Sequence, residues 1–211
     1  MSINKKNISL LNKELKSHIS TRLMIVTKNQ SSQDINELMS QGFKLFGENR
    51  VQEAKLKYQS ISSCNNLELH LIGPLQTNKV KNALKIFDVI QTIDRISLVD
   101  EIAKQLLKLS SVRTKKFYIQ VNIGEEEQKS GVFKKNLQDL YNYSINCNLV
   151  IHGLMCIPPN TQDPSNYFKE MIKIRDNINK KLKLSMGMSN DYKIALNFQS
   201  DIIRIGSLIF E

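Results

Sequence analysis

The chain has 211 residues, with 30 Lys and Arg against 20 Asp and Glu, a formal charge of +10. Hydrophobic residues at 41% and charged residues at 24% exclude a disordered or fibrous chain and leave enough apolar material for a sizeable core. No run approaches the roughly 18 apolar residues that a membrane span needs. The opening MSINKKNISLLNKELK has no apolar h-region, so no secretory signal is expected. Cys64, Cys147 and Cys156 are widely spaced and form no CxxC pair, which excludes a disulfide framework or a thiolate metal site. A cytoplasmic protein without a metal is expected.

In chain order, Ile8, Leu11, Leu15 and Ile19 share one helical face and predict an N-terminal amphipathic helix. Leu23–Val26 is the first of eight short apolar runs. The others are Lys44–Phe46, Leu67–Ile72, Val89–Thr92, Phe117–Val121, Leu149–Met155, Leu182–Met186 and Ile202–Ile205. They alternate little between apolar and polar, as strands buried on both faces do. Helix signals lie between them. Ser31 with Asp34 makes a capping pattern ahead of Ile35, Leu38 and Met39, and Gly42 can end that helix. Val51, Ala54 and Tyr58 share a face, as do Val80 and Leu84. Leu98, Ile102, Leu106 and Leu109 form a stripe, and Phe168, Met171, Ile172 and Ile178 another.

Eight strands with helices between them predict an α/β fold with a parallel sheet, doubly wound or closed as a barrel. The segment after the eighth run is too short for a helix, and the N-terminal helix is expected to cover the gap. The preferred reading is a single-domain (β/α)8 TIM barrel over residues 1–211 with an N-terminal covering helix.

The basic charge raises a nucleic-acid reading. The lysines are spread along the chain, and the pairs Lys5-Lys6, Lys115-Lys116, Lys134-Lys135 and Lys180-Lys181 lack interleaved aromatic residues. A solvated surface is the expectation, with nucleic acid a weak alternative.

Active faces of such barrels are built just past the C-terminal ends of the strands. Those positions are Lys28, Glu48-Asn49, Gly73, Asn122, Cys156, Met188-Ser189, and Arg204 with Gly206-Ser207. Lys28 follows Leu-Met-Ile-Val-Thr, and an apolar shell there would favour the neutral amine, a nucleophile toward carbonyls. A surface lysine opening a loop is the plain alternative. The loops after strands seven and eight commonly bind phosphate. Here they offer the hydroxyls of Ser189 and Ser207, the backbone at Gly206 and the fixed cation of Arg204. An aldehyde on the lysine with a phosphate on these loops describes pyridoxal 5′-phosphate (PLP).

In order along nearly the whole chain stand Thr27-Lys28, Phe46-Gly47-Glu48-Asn49 with Val51-Gln52-Glu53-Ala54, and His70-Leu71-Ile72-Gly73 with Leu75-Gln76-Thr77-Asn78-Lys79. Lys129-Ser130-Gly131, Gly153-Leu154-Met155, Leu184 through Asp191 and Arg204-Ile205-Gly206 follow. These motifs resemble the YggS/PROSC family of PLP-binding homeostasis proteins, whose fold is similar to the N-terminal barrel of alanine racemase. The resemblance implies that Lys28 holds PLP as a Schiff base and that Ser189, Gly206 and Ser207 hold its phosphate. It further implies that Arg204 faces the pyridine nitrogen, with Asn49 a contact near the ring and His70 and Lys129 weaker candidates. For His70 a packed, hydrogen-bonded role is expected, while Glu48 is left open between a site residue and a structural partner of a neighbouring lysine.

The chain departs from the family pattern at Gln30 and Ser31, where many relatives carry a second lysine and a proline, and at Leu69, Ser207 and Glu211. Ser207 keeps the hydroxyl. An arginine at the pyridine nitrogen weakens the ring as an electron sink, and no residues follow strand eight for the racemase's second domain. The implied role is therefore buffering or delivering PLP without catalysis. The expected partners are PLP and PLP-dependent apoenzymes, with the protein a monomer or weak homodimer and no membrane partner. The competing readings are a small amino-acid racemase and a nucleic-acid-binding barrel.

Overall fold

A computed structural model describes residues 3–59, 61, 67–160 and 163–210. Its elements run α1 (Lys5–Leu15), β1 (Arg22–Val26), α2 (Ser32–Ser40), β2 (Leu45–Glu48), α3 (Val51–Gln59), β3 (Glu68–Leu71), α4 (Val80–Ile86), β4 (Val89–Ile93) and α5 (Ile96–Lys108). They continue with β5 (Lys116–Val121), α6 (Lys134–Asn146), β6 (Ile151–Cys156), α7 (Ser165–Ile178), β7 (Lys183–Met188), α8 (Tyr192–Asn197) and β8 (Ile202–Ile205). The strands form a closed parallel barrel in sequence order. Closure comes from β1, which pairs with β2 through Ile25↔Phe46 and with β8 through Met24↔Arg204 and Ile25↔Ile205.

All eight predicted strands are present, and β2, β4, β6 and β7 extend one or two residues further toward the C-terminal mouth than the apolar runs alone indicate. Glu48, Cys156, Met188 and Arg204, read as positions past the strand ends, are strand residues. A closed ladder supplies hydrogen bonds to any residue, polar or not, so hydrophobicity marks the strand centre better than its end. The capping box at Ser31 is formed in full, with the Ser31 hydroxyl and the Asp34 carboxylate each bonded to the other residue's backbone. Gly42, at φ +92°, takes the left-handed position that closes α2.

The N-terminal helix is shorter than its stripe. Ile8 and Leu11 are buried and Leu15 packs partly, but Ile19 is 93% exposed. The helix stops at Leu15 because a turn follows, in which Ser17 Oγ and its N–H both bond Glu14 O and His18 N–H bonds Leu15 O. The segment is tied instead to the loop after β8, by an Ile3↔Phe210 bridge and by Asn7 Nδ2 donating to Leu208 O at 2.9 Å. It covers the barrel where the preferred reading placed it. Cys64 and Glu211 lie outside the described residues.

Strand alternation divides the core in two. Outward residues such as Ile25, Phe46, Leu69, Ile119, Leu154 and Ile203 belong to the large cluster shared with the helices. Inward residues Met24, Leu45, Val89, Tyr118, Met155 and Ile202 form a smaller cluster inside the barrel. Gly153 makes room for the Tyr118 ring, since a Cβ there would lie 2.3 Å from Tyr118 Cε1 and 2.3 Å from Lys183 O. One of these atoms is backbone, so the barrel must distort to accept a methyl group. Gly153→Ala is expected to lower stability by about 3 kcal/mol, read as a lower urea midpoint.

His70 is buried inside the barrel as a hydrogen-bonded residue, as expected for it. Gln91 Nε2 lies 2.8 Å from its Nδ1, and its Nε2 lies 2.6 Å from Glu68 Oε1. A donating Gln91 amide leaves the ring proton on Nε2, bonded to the carboxylate. Arg22 forks the same carboxylate at 3.1 and 2.7 Å. The bond from His70, with that of Arg22, holds Glu68 far below the usual carboxylate range against the opposing effect of burial. Burial pushes His70 below the ordinary histidine value and outweighs the pull of Glu68. Both folded-state values are depressed, so both groups contribute stability at neutral pH that is lost on acidification. The His70 share begins to disappear as the pH falls through about 6.5, and the Glu68 share follows in more acid solution. Wild-type stability should therefore fall between about pH 8 and about pH 5, and His70→Gln should fall less over that interval in parallel urea titrations. Equal slopes would remove His70 from this account.

Candidate functional site

The barrel alternation leads directly to the mouth. On β1 the inward residues are Met24 and Val26, and continuing by two places gives Lys28. On β8 the inward residues Ile202 and Arg204 are followed in the same way by Gly206. A cavity of about 320 Å³ opens at the C-terminal end, and Lys28, Asn49, Ser189, Arg204, Gly206 and Ser207 all line it. Its remaining walls are Val26, Ile72, Ile157, Met188 and Asn190. Such a volume and an apolar wall with a few polar groups are those of a small-molecule site.

Glycines shape this mouth. A Cβ at Gly47 would lie 2.7 Å from Met24 Sδ, and one at Gly73 would lie 2.2 Å from Asn49 O. The β3 loop can therefore press on the backbone of Asn49 and hold its side chain at the rim. On the opposite side, Gly187 at φ +96° turns the end of β7, where a Cβ would meet Ala195 of α8 at 2.6 Å. Asp191 Oδ1 accepts the Met188 N–H at 2.6 Å and closes the turn carrying Ser189 and Asn190. Ser189 Oγ lies 3.4 Å from the Gly206 N–H, which joins the loops after β7 and β8. Two hydroxyls and a glycine amide thus face one end of the cavity, an arrangement suited to an oxyanion.

Arg204 is the site's buried cation. Its Nη1 donates to Ser185 O at 2.6 Å and to Ser185 Oγ at 2.9 Å, and its Nη2 donates to Cys156 O at 2.8 Å. Among the described residues no carboxylate lies within ion-pair distance of it. Burial lowers its pKa from the ordinary arginine value, yet guanidinium keeps its proton in proteins. A buried charge held by neutral oxygens favours an electron-rich or anionic ligand atom.

Lys28 departs from its expected surroundings. It is exposed at the rim, so the apolar shell below it stops at Val26 and does not enclose the amine. The reason is the turn after β1, where Gln30 N–H bonds Thr27 O and Asn29 takes φ +60°. Lys28 is accordingly presented over the cavity, not sunk in its floor.

Other sequence candidates lie apart from the cavity lining. His70 is deeper in the barrel, as described. Lys129 pairs with Glu126 at 2.5 Å and reaches Pro158 O at 3.5 Å across the loop after β5. Asn122 braces that loop through Glu126 and Lys129. The Cys156 thiol faces the helix layer and burial pushes it up to about 12, which makes it inert. Glu48 also points outward, where it meets Lys57 at 3.0 Å, the structural one of the two roles open to it. Lys57 itself went unmarked in the sequence, although its i,i+4 spacing from Glu53 was a usable signal. The wall residues Val26, Ile72 and Ile157 were missed too, and the period-two rule from Met24 to Lys28 would have found Val26.

No family model matches the chain. The chain is 38% identical over 198 residues to the pyridoxal phosphate homeostasis protein of Aquifex aeolicus (strain VF5), covering 90% of this chain and 86% of that one. Among solved structures, PipY of Synechococcus elongatus PCC7942 without PLP superposes with a TM-score of 0.87 at 29% identity, over 98% of this chain and 99% of that one. The same protein with PLP bound gives 0.85 at 28% identity, with the same coverage. Alanine racemase from Bacillus anthracis matches 96% of this chain and 54% of its own at a TM-score of 0.72 and 16% identity, a likeness of fold alone. With 38% identity sustained over nine-tenths of its length, the chain belongs to the pyridoxal phosphate homeostasis protein family.

Proposed function

We propose that this chain binds pyridoxal 5′-phosphate at the C-terminal mouth of the barrel and serves PLP homeostasis by holding and releasing it. The observation that carries the reading is the cavity itself, where one exposed primary amine shares a lining with two hydroxyls, the backbone at Gly206 and a buried guanidinium. When bound, PLP supplies an aldehyde that condenses with a primary amine. Lys28 provides that amine. Ser189, Ser207 and the backbone at Gly206 receive the phosphate, and Arg204 is placed for the ring nitrogen, which a guanidinium keeps unprotonated. Asn49 borders the ring, while Val26, Ile72 and Ile157 exclude water from its faces.

The lining also favours a carrier over a racemase. Moving a proton on and off a carbon needs an acid and a base at suitable pKa on opposite faces of the substrate. Among the described residues lining the cavity, Arg204 keeps its proton and Lys28 is the one other ionisable side chain. A site with a single such group can exchange an aldehyde between amines. Handing the cofactor to a PLP-dependent apoenzyme uses the same exchange. The exposure of Lys28 suits it, since an incoming amine reaches the site without opening the barrel.

Added PLP should give the wild-type protein a yellow absorption band, and borohydride followed by peptide mapping should place the label on Lys28. Lys28→Ala should lose band and label and still melt close to the wild type, because the side chain is exposed. A borohydride-stable adduct elsewhere in the variant would overturn the assignment. Racemisation well above that of free PLP, and abolished in Lys28→Ala, would replace the carrier reading with an enzymatic one.

A further inference from the structure

Lys28 is held from outside the barrel by side chains that never reach the cavity. The peptide group before its Cα presents Thr27 O, which accepts from Lys57 Nζ at 2.5 Å. The peptide group after it presents Asn29 N–H, which donates to Glu53 Oε1 at 2.6 Å. Lys57 joins the two, because its ammonium also lies 2.6 Å from that same Glu53 oxygen and 3.0 Å from Glu48 Oε1. Glu48 Oε1 accepts in turn from Thr27 Oγ1 at 2.7 Å, and the Tyr58 hydroxyl lies 3.1 Å from Thr27 Oγ1. Both peptide planes that set the φ and ψ of Lys28 are thereby tied to one ammonium on α3.

The surroundings make this grip a strong one. Lys57 is 11% exposed and Glu48 0%, so the pair is shielded from solvent and salt. An ammonium carries three N–H donors, and Thr27 O, Glu48 Oε1 and Glu53 Oε1 are three acceptors for them. Asn29 sits at φ +60°, a left-handed conformation that a non-glycine residue keeps only when its neighbours impose it. Glu48 Oε2 is buried without a hydrogen-bond partner, and burial raises the Glu48 pKa against the opposing bonds of Thr27 and Lys57.

We infer that Lys57 is the positioning residue for Lys28. Together with Glu53 and Glu48, it fixes the backbone on either side of Lys28 so that an exposed, flexible side chain leaves from one defined direction over the mouth. The inference rests on the reading of Lys28 as the PLP amine. Lys57 touches neither cavity nor ligand, and it acts through the two flanking peptides.

Removing Lys57 alone would strand a buried carboxylate, so the test uses Lys57→Met/Glu48→Gln, which removes both charges. Two rates are measured against wild type and Lys28→Ala. One is amide hydrogen exchange at Asn29 in cofactor-free protein, and the other is PLP release from loaded protein into a trapping apoenzyme. Loss of a charge-assisted hold should raise Asn29 exchange about tenfold and PLP release about tenfold, with strand amides unchanged. Unchanged Asn29 exchange would overturn the clamp. Faster exchange with unchanged PLP release would reduce Lys57 to a purely structural role and overturn the positioning. Should the double variant fail to fold, Glu53→Ala, at a half-exposed position, removes the Asn29 acceptor and reads the same two rates. A wild type that takes up no PLP would defeat the reading of Lys28 and with it the positioning role. Asn29 exchange would then still decide whether the clamp exists.

Discussion

The site depends on one pairing, that of the first strand with the last. Parallel strands need long crossovers, and here seven of them intervene before β8 reaches β1 through Met24↔Arg204 and Ile25↔Ile205. That pairing abolishes the sheet's free edges. It also sets an amine two residues beyond Val26 beside a glycine–serine turn two residues beyond Arg204. Neither half of the cavity is a binding site without the other. The N-terminal helix contributes to the same closure, because Asn7 and Ile3 hold the loop that carries Gly206 and Ser207.

The two faces of the strands carry different work. The inward face ends in a shallow cavity whose one buried charge, Arg204, is satisfied by neutral oxygens and so remains available to an electron-rich ligand. The outward face at the same height carries Glu48, which meets Lys57 of α3, and that ammonium is shared with Glu53 and Thr27 O. Desolvation makes both arrangements costly in isolation. The first is consistent with a charge kept for a ligand, the second with a charge kept for geometry. Glu48 and Arg204 therefore differ in role although each is buried and ionisable near the barrel mouth.

A protein that holds a reactive aldehyde and then surrenders it needs a site unlike an enzyme's. Deep enclosure would slow exchange, and a second acid or base would invite side reactions on the bound amine. The rim position of Lys28 and the lining of hydroxyls, amides and apolar walls accord with the carrier role proposed for the chain. The backbone turn supplies the definition that burial would otherwise provide.

Much of this was written in the residues. Eight buried strands, the capping box at Ser31, the stripe at Ile8 and Leu11 and six of the residues that line the cavity all followed from local pattern, spacing and a family resemblance. Local signals suffice there because hydrophobic period, cap chemistry and strand order act over short stretches of chain. The end of α1 before Ile19, the exposure of Lys28 and the pairing of Lys57 with the turn at Thr27–Asn29 did not follow. The first two follow from turns of a few residues that the apolar stripe and run do not signal. The third is decided by which side of a strand meets which helix once the barrel has closed, a relation between distant segments that no local window contains. The residues of the cavity were thus named by the sequence itself, whereas the means of aiming its amine was decided only by the tertiary structure.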